Sequence, residues 1–368
     1  MLFYISDELI SLAEANDDKA IVAIDNLMSA SFYGKNIIYS SRNGFKRMNK
    51  IVSLSLQSKQ VINKKLSTFS TDSQIFNLVT TYVNVTNAED QIIKESNDKI
   101  VIKIPYVFIA NDDAFCSKPI LIGENLNDTD FYKYISRYFA YKMDIKCALA
   151  PSCESINGGG NTTHSSYKRY AQADNRICLC ITDSDKKHIS HNVDETAKKV
   201  QEVHNNLQPK LCMQYCIENV REVENLIPSN VLKIVCNDDV NRNKGFELSE
   251  IIKEYNPDLY LYFDFKDGLK CEKYRKIECQ HLKPEIERLI TEDLMLKTDD
   301  ELSEIKSNKS TGVIISGMGS DLLSLSNEKL KDFSDWGSIS LLENQEKEWI
   351  TIGKLIFNYT YVFPKIIS

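Results

Sequence analysis

Arg176-Ile-Cys-Leu-Cys-Ile-Thr-Asp183-Ser-Asp185-Lys-Lys187 is an apolar run that ends in two acids placed two residues apart. An apolar run without polar alternation suits a strand buried on both faces, as in a parallel sheet covered by helices. Three other short runs share this texture: Pro119-Ile-Leu-Ile-Gly123, Cys147-Ala-Leu-Ala150 and Met213-Gln-Tyr-Cys-Ile217. Helix-like stretches at 129–141, 163–172 and 194–206 separate them. A spacing of roughly 26 to 36 residues per unit suits βαβ crossovers. The expected fold class is therefore α/β, with a parallel sheet flanked by helices over residues 116–236.

The flanking regions differ. Residues 1–115 read as an N-terminal α+β region with a substrate-binding or regulatory role. A helix is expected over 7–30 and strands over 36–40, 51–56 and 101–110, the last interrupted by Pro105. Residues 74–83 suit helix or strand. Residues 237–368 read as a mainly helical extension that completes the core. Helices are expected over 285–296 and 346–357, a further strand over 259–265, and a polar loop over 299–310.

The chain has 368 residues, 45 Lys and Arg against 52 Asp and Glu, and a formal charge of −7. Its 42% hydrophobic and 26% charged residues exclude a disordered tail, a collagen-like chain and a coiled-coil rod. No run of about 18 apolar residues marks a transmembrane helix, so no membrane partner is expected. Asp7 and Glu8 near the start, without a basic segment, argue against a secretory signal. Ten cysteines are too sparse for a disulfide scaffold, and Cys178 and Cys180 read as buried hydrophobes in a reducing cytoplasm. Trp336 and Trp349 read as core residues, and His188 and His191 as solvated loop residues.

Charge is unevenly spread. Residues 26–71 contain no Asp or Glu. They carry Arg42, Lys46 and Arg47 among eight cations, with Tyr33, Tyr39 and Phe45 interleaved. Such a surface could follow a phosphate backbone, though an ordinary basic surface has the same composition. Lys186 and Lys187, beside Asp185, are further candidates for phosphate contact.

Ligands of open α/β sheets bind beyond the carboxyl ends of the strands. Glu124 and Asp128 follow the first run, and Glu154 to Thr163, with Gly158-Gly159-Gly160, follows the second. Asp183 and Asp185 end the third, and Arg221-Glu222-Val-Glu224-Asn225 follows the fourth. Clustered carboxylates repel unless a hard cation offsets them, and Mg²⁺ takes oxygen ligands alongside phosphate. Two such ions, about 3.5 to 4 Å apart, would activate a water and stabilise a leaving oxygen. Each piece also has a plainer reading. Most Asp-x-Asp pairs lie in solvated turns, Asp128 suits a helix cap, the glycines suit a flexible turn, and Arg221 with Glu222 suits a surface ion pair.

This order of residues resembles the TOPRIM fold of topoisomerases, DnaG-type primases and nucleases of the overcoming-lysogenization-defect family. The pattern is a strand ending in Glu, an acid four residues later, then a strand ending in Asp-x-Asp. Here the matching positions are Glu124, Asp128, Asp183 and Asp185, over about 110 residues from 119 to 228. The glycine loop and the 221–225 segment resemble the nuclease branch, including nucleases of phage-defence systems. The chain departs from the pattern at Asn125, where the family usually has Gly. No GxxxxGK[ST] segment is present, so the chain either works without ATP or relies on a partner ATPase or defence-system protein. The relatives place a Lys late in the site, and Lys266 is the candidate; a solvated loop lysine is the plainer reading. Gly317-Met-Gly319-Ser-Asp321-Leu-Leu323 loosely resembles a Gly-His-Asp-Leu-Leu segment of one defence branch, without its His.

The resemblance implies a metal-dependent nuclease acting on DNA or RNA in antiviral defence. Catalytic roles are expected for Glu124, Asp128, Asp183, Asp185 and Lys266. Mg²⁺ or Mn²⁺, as two ions, would be held by Glu124, Asp128, Asp183, Asp185, Glu222 and Glu224. A homo-oligomer is compatible with this reading. A metal-dependent nucleotide-sugar transferase could use the same Asp-x-Asp, but it leaves Glu124 and Asp128 unexplained. A non-catalytic scaffold that binds nucleic acid or a protein is the third reading.

Overall fold

The computed structural model describes residues 1–96, 99–145, 148–294 and 296–366. Two compact units interleave along the chain. Unit 1 comprises Met1–Ile181, Lys199–Tyr215 and Ile352–Ser368, and unit 2 comprises Thr182–Lys198 and Cys216–Thr351.

Unit 1 begins with β1 (Leu2–Ile5), β2 (Ile37–Tyr39), β3 (Thr81–Thr86), β4 (Ile92–Ser96) and β5 (Lys99–Pro105). They form one sheet in the order β2-β1-β3-β5-β4, parallel except for the antiparallel β4–β5 pair. Helices with side-chain caps connect them. Ser6 caps Asp7–Glu14 and Asp17 caps Asp18–Phe32, so the expected helix over 7–30 is two helices divided at 15–17. The strand expected at 51–56 does not form. Ile51 closes the helix Arg42–Lys50, Ser55 caps Leu56–Ser67, and Val52 and Leu56 face solvent. Residues 74–83 divide between the helix Phe69–Leu78 and β3. Beyond β5 the chain turns into the helix Tyr106–Asn111.

The chain continues through β6 (Ile120–Gly123), β7 (Ala150–Pro151), β8 (Glu154–Asn157), β9 (Cys178–Asp183) and β10 (Cys212–Ile217). The fold is α/β, with β6, β8, β9 and β10 in a parallel four-stranded sheet flanked by helices. The order is β10-β9-β6-β8, so the direction of strand addition reverses between β6 and β9. Ile120, Ile122, Cys178, Cys180, Cys212, Tyr167 and Val200 pack into one buried cluster. The cysteines there are small apolar core residues, as expected.

The second strand of this sheet is corrected. Ala150 belongs to β7, which pairs outside the sheet with β13 (Tyr361–Val362) after β11 (Gly268–Lys270) and β12 (Val313–Ser316) have formed a separate antiparallel pair. Cys147, in the run expected as that strand, lies outside the described residues. The sheet strand is β8, which occupies the start of what reads in sequence as its acidic tip. Gly158 is required there because a Cβ would meet the Gly123 carbonyl oxygen at 2.7 Å, which already accepts the Gly158 N–H at 2.8 Å.

Unit 2 is mainly helical. The expected strand at 259–265 is instead the helix Pro257–Tyr262, capped by Asn256 with Pro257 in its first turn. The expected loop at 299–310 holds the helix Asp299–Lys306, opened by a capping box of Thr298 and Glu301. The segment at 285–296 is the helix Leu282–Arg288 continued by a π turn over Leu289–Asp293. Trp349 is fully buried, whereas Trp336 is only half-buried. Among the described residues, no helix is long and apolar enough to cross a membrane.

Candidate active site

The acidic positions divide between the units. In unit 1, Glu124 follows β6 and is half-buried. Its carbonyl accepts hydrogen bonds from the Gly159 and Gly160 N–H groups at 3.0 and 3.3 Å. Gly159 and Gly160 have φ of 78° and 59°, a conformation glycine adopts without strain. Asp128 is buried, and its Oδ2 accepts the Asn125 N–H at 2.7 Å. With Asn125 it forms the capping box of the helix Leu126–Lys142. The plainer expectation for Asp128 is therefore met by one of its carboxylate oxygens.

In unit 2 the strand ends are tied together by backbone. Ser184 is fully buried and its hydroxyl donates to the Val220 carbonyl at 2.6 Å. The Asp185 N–H donates to the Arg221 carbonyl at 2.9 Å, and Asp185 holds a left-handed φ of 52°. The Asp194 N–H returns to the Ser184 carbonyl and closes the loop after β9.

Asn225 is the second fastening point. Its Oδ1 accepts the Glu222 N–H at 3.2 Å, and its Nδ2 donates to the Phe263 carbonyl at 2.9 Å. The segment after Tyr262 is thereby drawn onto the 222–225 turn. Lys266 then reaches Glu222 Oε2 at 2.6 Å and Glu224 Oε1 at 3.4 Å. Arg221 binds Glu222 at 2.8 Å and Asp264 at 3.1 Å, and Lys273 binds Asp264 at 2.9 Å. The 317–319 segment supports the same loop. The Met318 and Gly319 N–H groups donate to the Phe265 and Lys266 carbonyls at 2.7 and 3.0 Å. A Cβ on Gly317 would collide with the Lys266 carbonyl.

The electrostatics follow from this packing. Burial opposes the charge of Lys266, but Glu224, Glu222 and Asp183 outweigh it and hold its pKa above the usual lysine value. Burial and the negative charge of Glu222 push Asp185 above the usual carboxylate range, against the pull of Arg221 and Lys266. Burial likewise opposes ionisation of Asp264, but Arg221, the Asp267 N–H and Lys273 win and hold it low. Asp183, Asp185, Asp194, Glu222, Glu224 and Asp264 thus share one electrostatic neighbourhood with Arg221, Lys266 and Lys273, six carboxylates against three cations.

The donor set is all hard oxygen and carries excess negative charge, which fits Mg²⁺ or Mn²⁺ in chemistry. Among the described residues, no group of three or more His, Cys, Asp or Glu side chains is arranged to hold an ion. Lys266 and Arg221 occupy the positions on Glu222 and Asp264 that a cation would otherwise neutralise.

The basic positions have varied surroundings. Arg42 and Lys46 are exposed, but Arg47 is engaged by Glu14 at 2.6 Å and by Asp7 at 3.4 Å. Lys186 lies 3.4 Å from Glu218, and Lys187 is exposed. His188 and His191 are half-buried rather than solvated. Asp264 and Lys273 escaped sequence reasoning. The signal for Asp264 was its place between Phe263 and Phe265 in an otherwise apolar stretch.

Arg221→Met is expected to lower folding stability by about 2 kcal/mol near neutral pH, because charged hydrogen bonds to buried carboxylates are lost. Asp264 has a depressed folded pKa, so its stabilisation is present above the unfolded value of about 3.9 and lost as pH falls through the folded one. The gap between variant and parent should therefore narrow in acid. Denaturant midpoints measured across that range check this; a constant gap would assign Arg221 a packing role instead.

Compared with family models, curated proteins and solved structures, the chain has no match.

Proposed function

We propose that this chain is a metal-dependent nuclease that hydrolyses phosphodiester bonds in DNA or RNA, built on a TOPRIM-like core. The observation that carries the reading is the ion pair of Lys266 with Glu222 and Glu224, beside Asp183 and Asp185. Three segments far apart in sequence, each singled out by its chemistry, meet in one buried acidic cluster. Under this reading Asp183 and Asp185 are the principal metal carboxylates.

When bound, the ion would polarise the phosphate and lower the pKa of a water. The chain's own groups do the rest. Lys266 keeps its proton, so it acts as a fixed positive charge toward phosphate oxygen and not as a base. Asn225 and Glu222 hold the turn that presents it, and Arg221 fixes Asp264 and the Asp185 backbone. An ATPase partner and a role in antiviral defence belong to the same proposal.

One observation favours a second reading. Glu222, Glu224 and Asp264 are already paired with Lys266 and Arg221, and Asn125 stands where the resembled family has Gly, which suits a scaffold that binds nucleic acid without cutting it. Incubation with plasmid, single-stranded DNA and tRNA, with Mg²⁺ or Mn²⁺, separates the two. Cleavage of at least one substrate, removed by a chelator, is expected. Binding without cleavage under either metal would establish the scaffold.

A further inference from the structure

Unit 2 contains a cleft of about 710 Å³ whose lining includes Asp185, Arg221 and His191. That volume lies in the range of pockets that enclose small ligands, about 300 to 1,000 Å³. One wall is apolar, with half-buried Phe263 and Ile277 over buried Leu269 and Ile286. The charged lining includes Lys187, Lys273 and Lys276 together with the carboxylates of Asp185, Asp194, Asp264 and Glu278. Lys273 is committed to Asp264 and Asp267. Lys187 and Lys276 are exposed and form no ion pair among the described residues.

An apolar lining with an aromatic ring, in one cleft with two uncommitted ammonium groups, suits a ligand with a planar face and an anionic end. We propose that this cleft binds a nucleoside monophosphate unit, its base against Phe263 and Ile277 and its phosphate at Lys187 and Lys276. Base stacking on an aromatic side chain contributes about 1 to 3 kcal/mol and tolerates any base. Burial, His188 and Lys187 hold His191 below the usual histidine value, so it presents a neutral imidazole able to donate to and accept from a base edge. Because Asp185 and Arg221 are among the residues lining the cleft, the occupant can be a nucleotide of the strand being cut; that source, unlike the site, rests on the nuclease reading. A free nucleotide offers the same chemistry.

Calorimetry with AMP and dTMP on the full chain, without added metal, tests the site independently of cleavage. Binding is expected, weakened about tenfold or more by replacing AMP with adenosine or with inorganic phosphate, since each supplies half of the contact. Lys276→Glu reverses an exposed charge and should weaken AMP by about tenfold. Ile277→Trp fills the cleft and should remove binding, with a thermal melt confirming that the variant folds. A 5′-phosphorylated oligonucleotide that displaces AMP identifies the strand as the source; binding of both without competition identifies a free nucleotide. No mononucleotide binding at millimolar concentration, binding indifferent to both variants, or a fatty acid binding where nucleotides do not, overturns the proposal. AMP binding in a chain that cleaves nothing leaves this inference standing and removes the nuclease reading, and cleavage without AMP binding does the reverse.

Discussion

Asp183→Ala combined with Asp185→Ala is expected to abolish Mg²⁺- or Mn²⁺-dependent cleavage, a loss of about a thousandfold or more, while the chain stays folded. A bound metal supplies several kcal/mol of charge stabilisation in the transition state, and each 1.36 kcal/mol is about tenfold in rate. The two positions are not equivalent as test sites. Asp185 has φ of 52°, where alanine is strained by about 1 kcal/mol or more while Asn and Asp are tolerated. Asp183→Asn with Asp185→Asn therefore separates chemistry from backbone strain. It keeps the Asp185 N–H on the Arg221 carbonyl and removes only the charge. Because burial and Glu222 already disfavour the Asp185 carboxylate, removing that charge should leave stability unchanged or slightly higher. Both variants are compared with the parent on the most readily cleaved of plasmid, single-stranded DNA and tRNA, with melting curves alongside. Parental cleavage by the Asn variant would sink the nuclease reading.

The parallel sheet was legible because its two central strands are buried. Ile120–Gly123 and Cys178–Asp183 carry apolar runs that water-facing segments rarely have, and the edge strand Cys212–Ile217, buried only at its two ends, keeps a shorter one. Glu154–Asn157, at the other edge, has no buried residue at all, so it carries no such run and reads as a loop. Short apolar segments mislead in the opposite direction. Leu259 to Phe265 is apolar because a buried helix and the turn after it need it to be, and periodicity cannot tell the two over so few residues. The discriminating signals were local: Asn256-Pro257 as cap and first turn, and Thr298-x-x-Glu301 as a capping box.

The acids that follow strands stand out in the sequence, whereas Asp264 and the pairing of the cations with the acids do not. Acids that directly follow strands are visible as a pattern. The partners that neutralise them arrive from 40 or so residues away, through hydrogen bonds of Asn225 that no spacing rule encodes. Lys266 was suggested by resemblance, and the geometry that seats it depends on Gly317 and Met318, whose own segment reads only as a loose echo of a motif. The net −7 likewise describes neither the exposed cations Arg42 and Lys46 nor the acidic cluster. Total charge is a statement about solubility and steering, and local composition is what a phosphate meets.

Trp349→Ala is expected to lower the stability of unit 2 by about 4 kcal/mol, the cost typical of truncating a fully buried large aromatic side chain. Trp349 is 0% exposed, and its indole N–H donates to the Leu226 carbonyl at 2.9 Å. One turn earlier on the same helix, Gln345 donates to the Asn225 carbonyl at 2.7 Å. These two bonds hold the turn Val223–Leu226 from behind, while Glu222 and Glu224 face Lys266 from the front. Trp349→Phe keeps most of the apolar volume and removes the donor, so it should cost only about 1 to 2 kcal/mol. The pair of variants separates filling from fastening. Urea midpoints give the two stabilities, and AMP calorimetry gives a readout outside the turn. If the turn is what presents Lys266, Trp349→Phe should reduce cleavage by more than its small loss of folded protein accounts for, while AMP affinity stays at the parental value. Cleavage that falls only in step with the folded fraction would show that the turn holds its place without the indole.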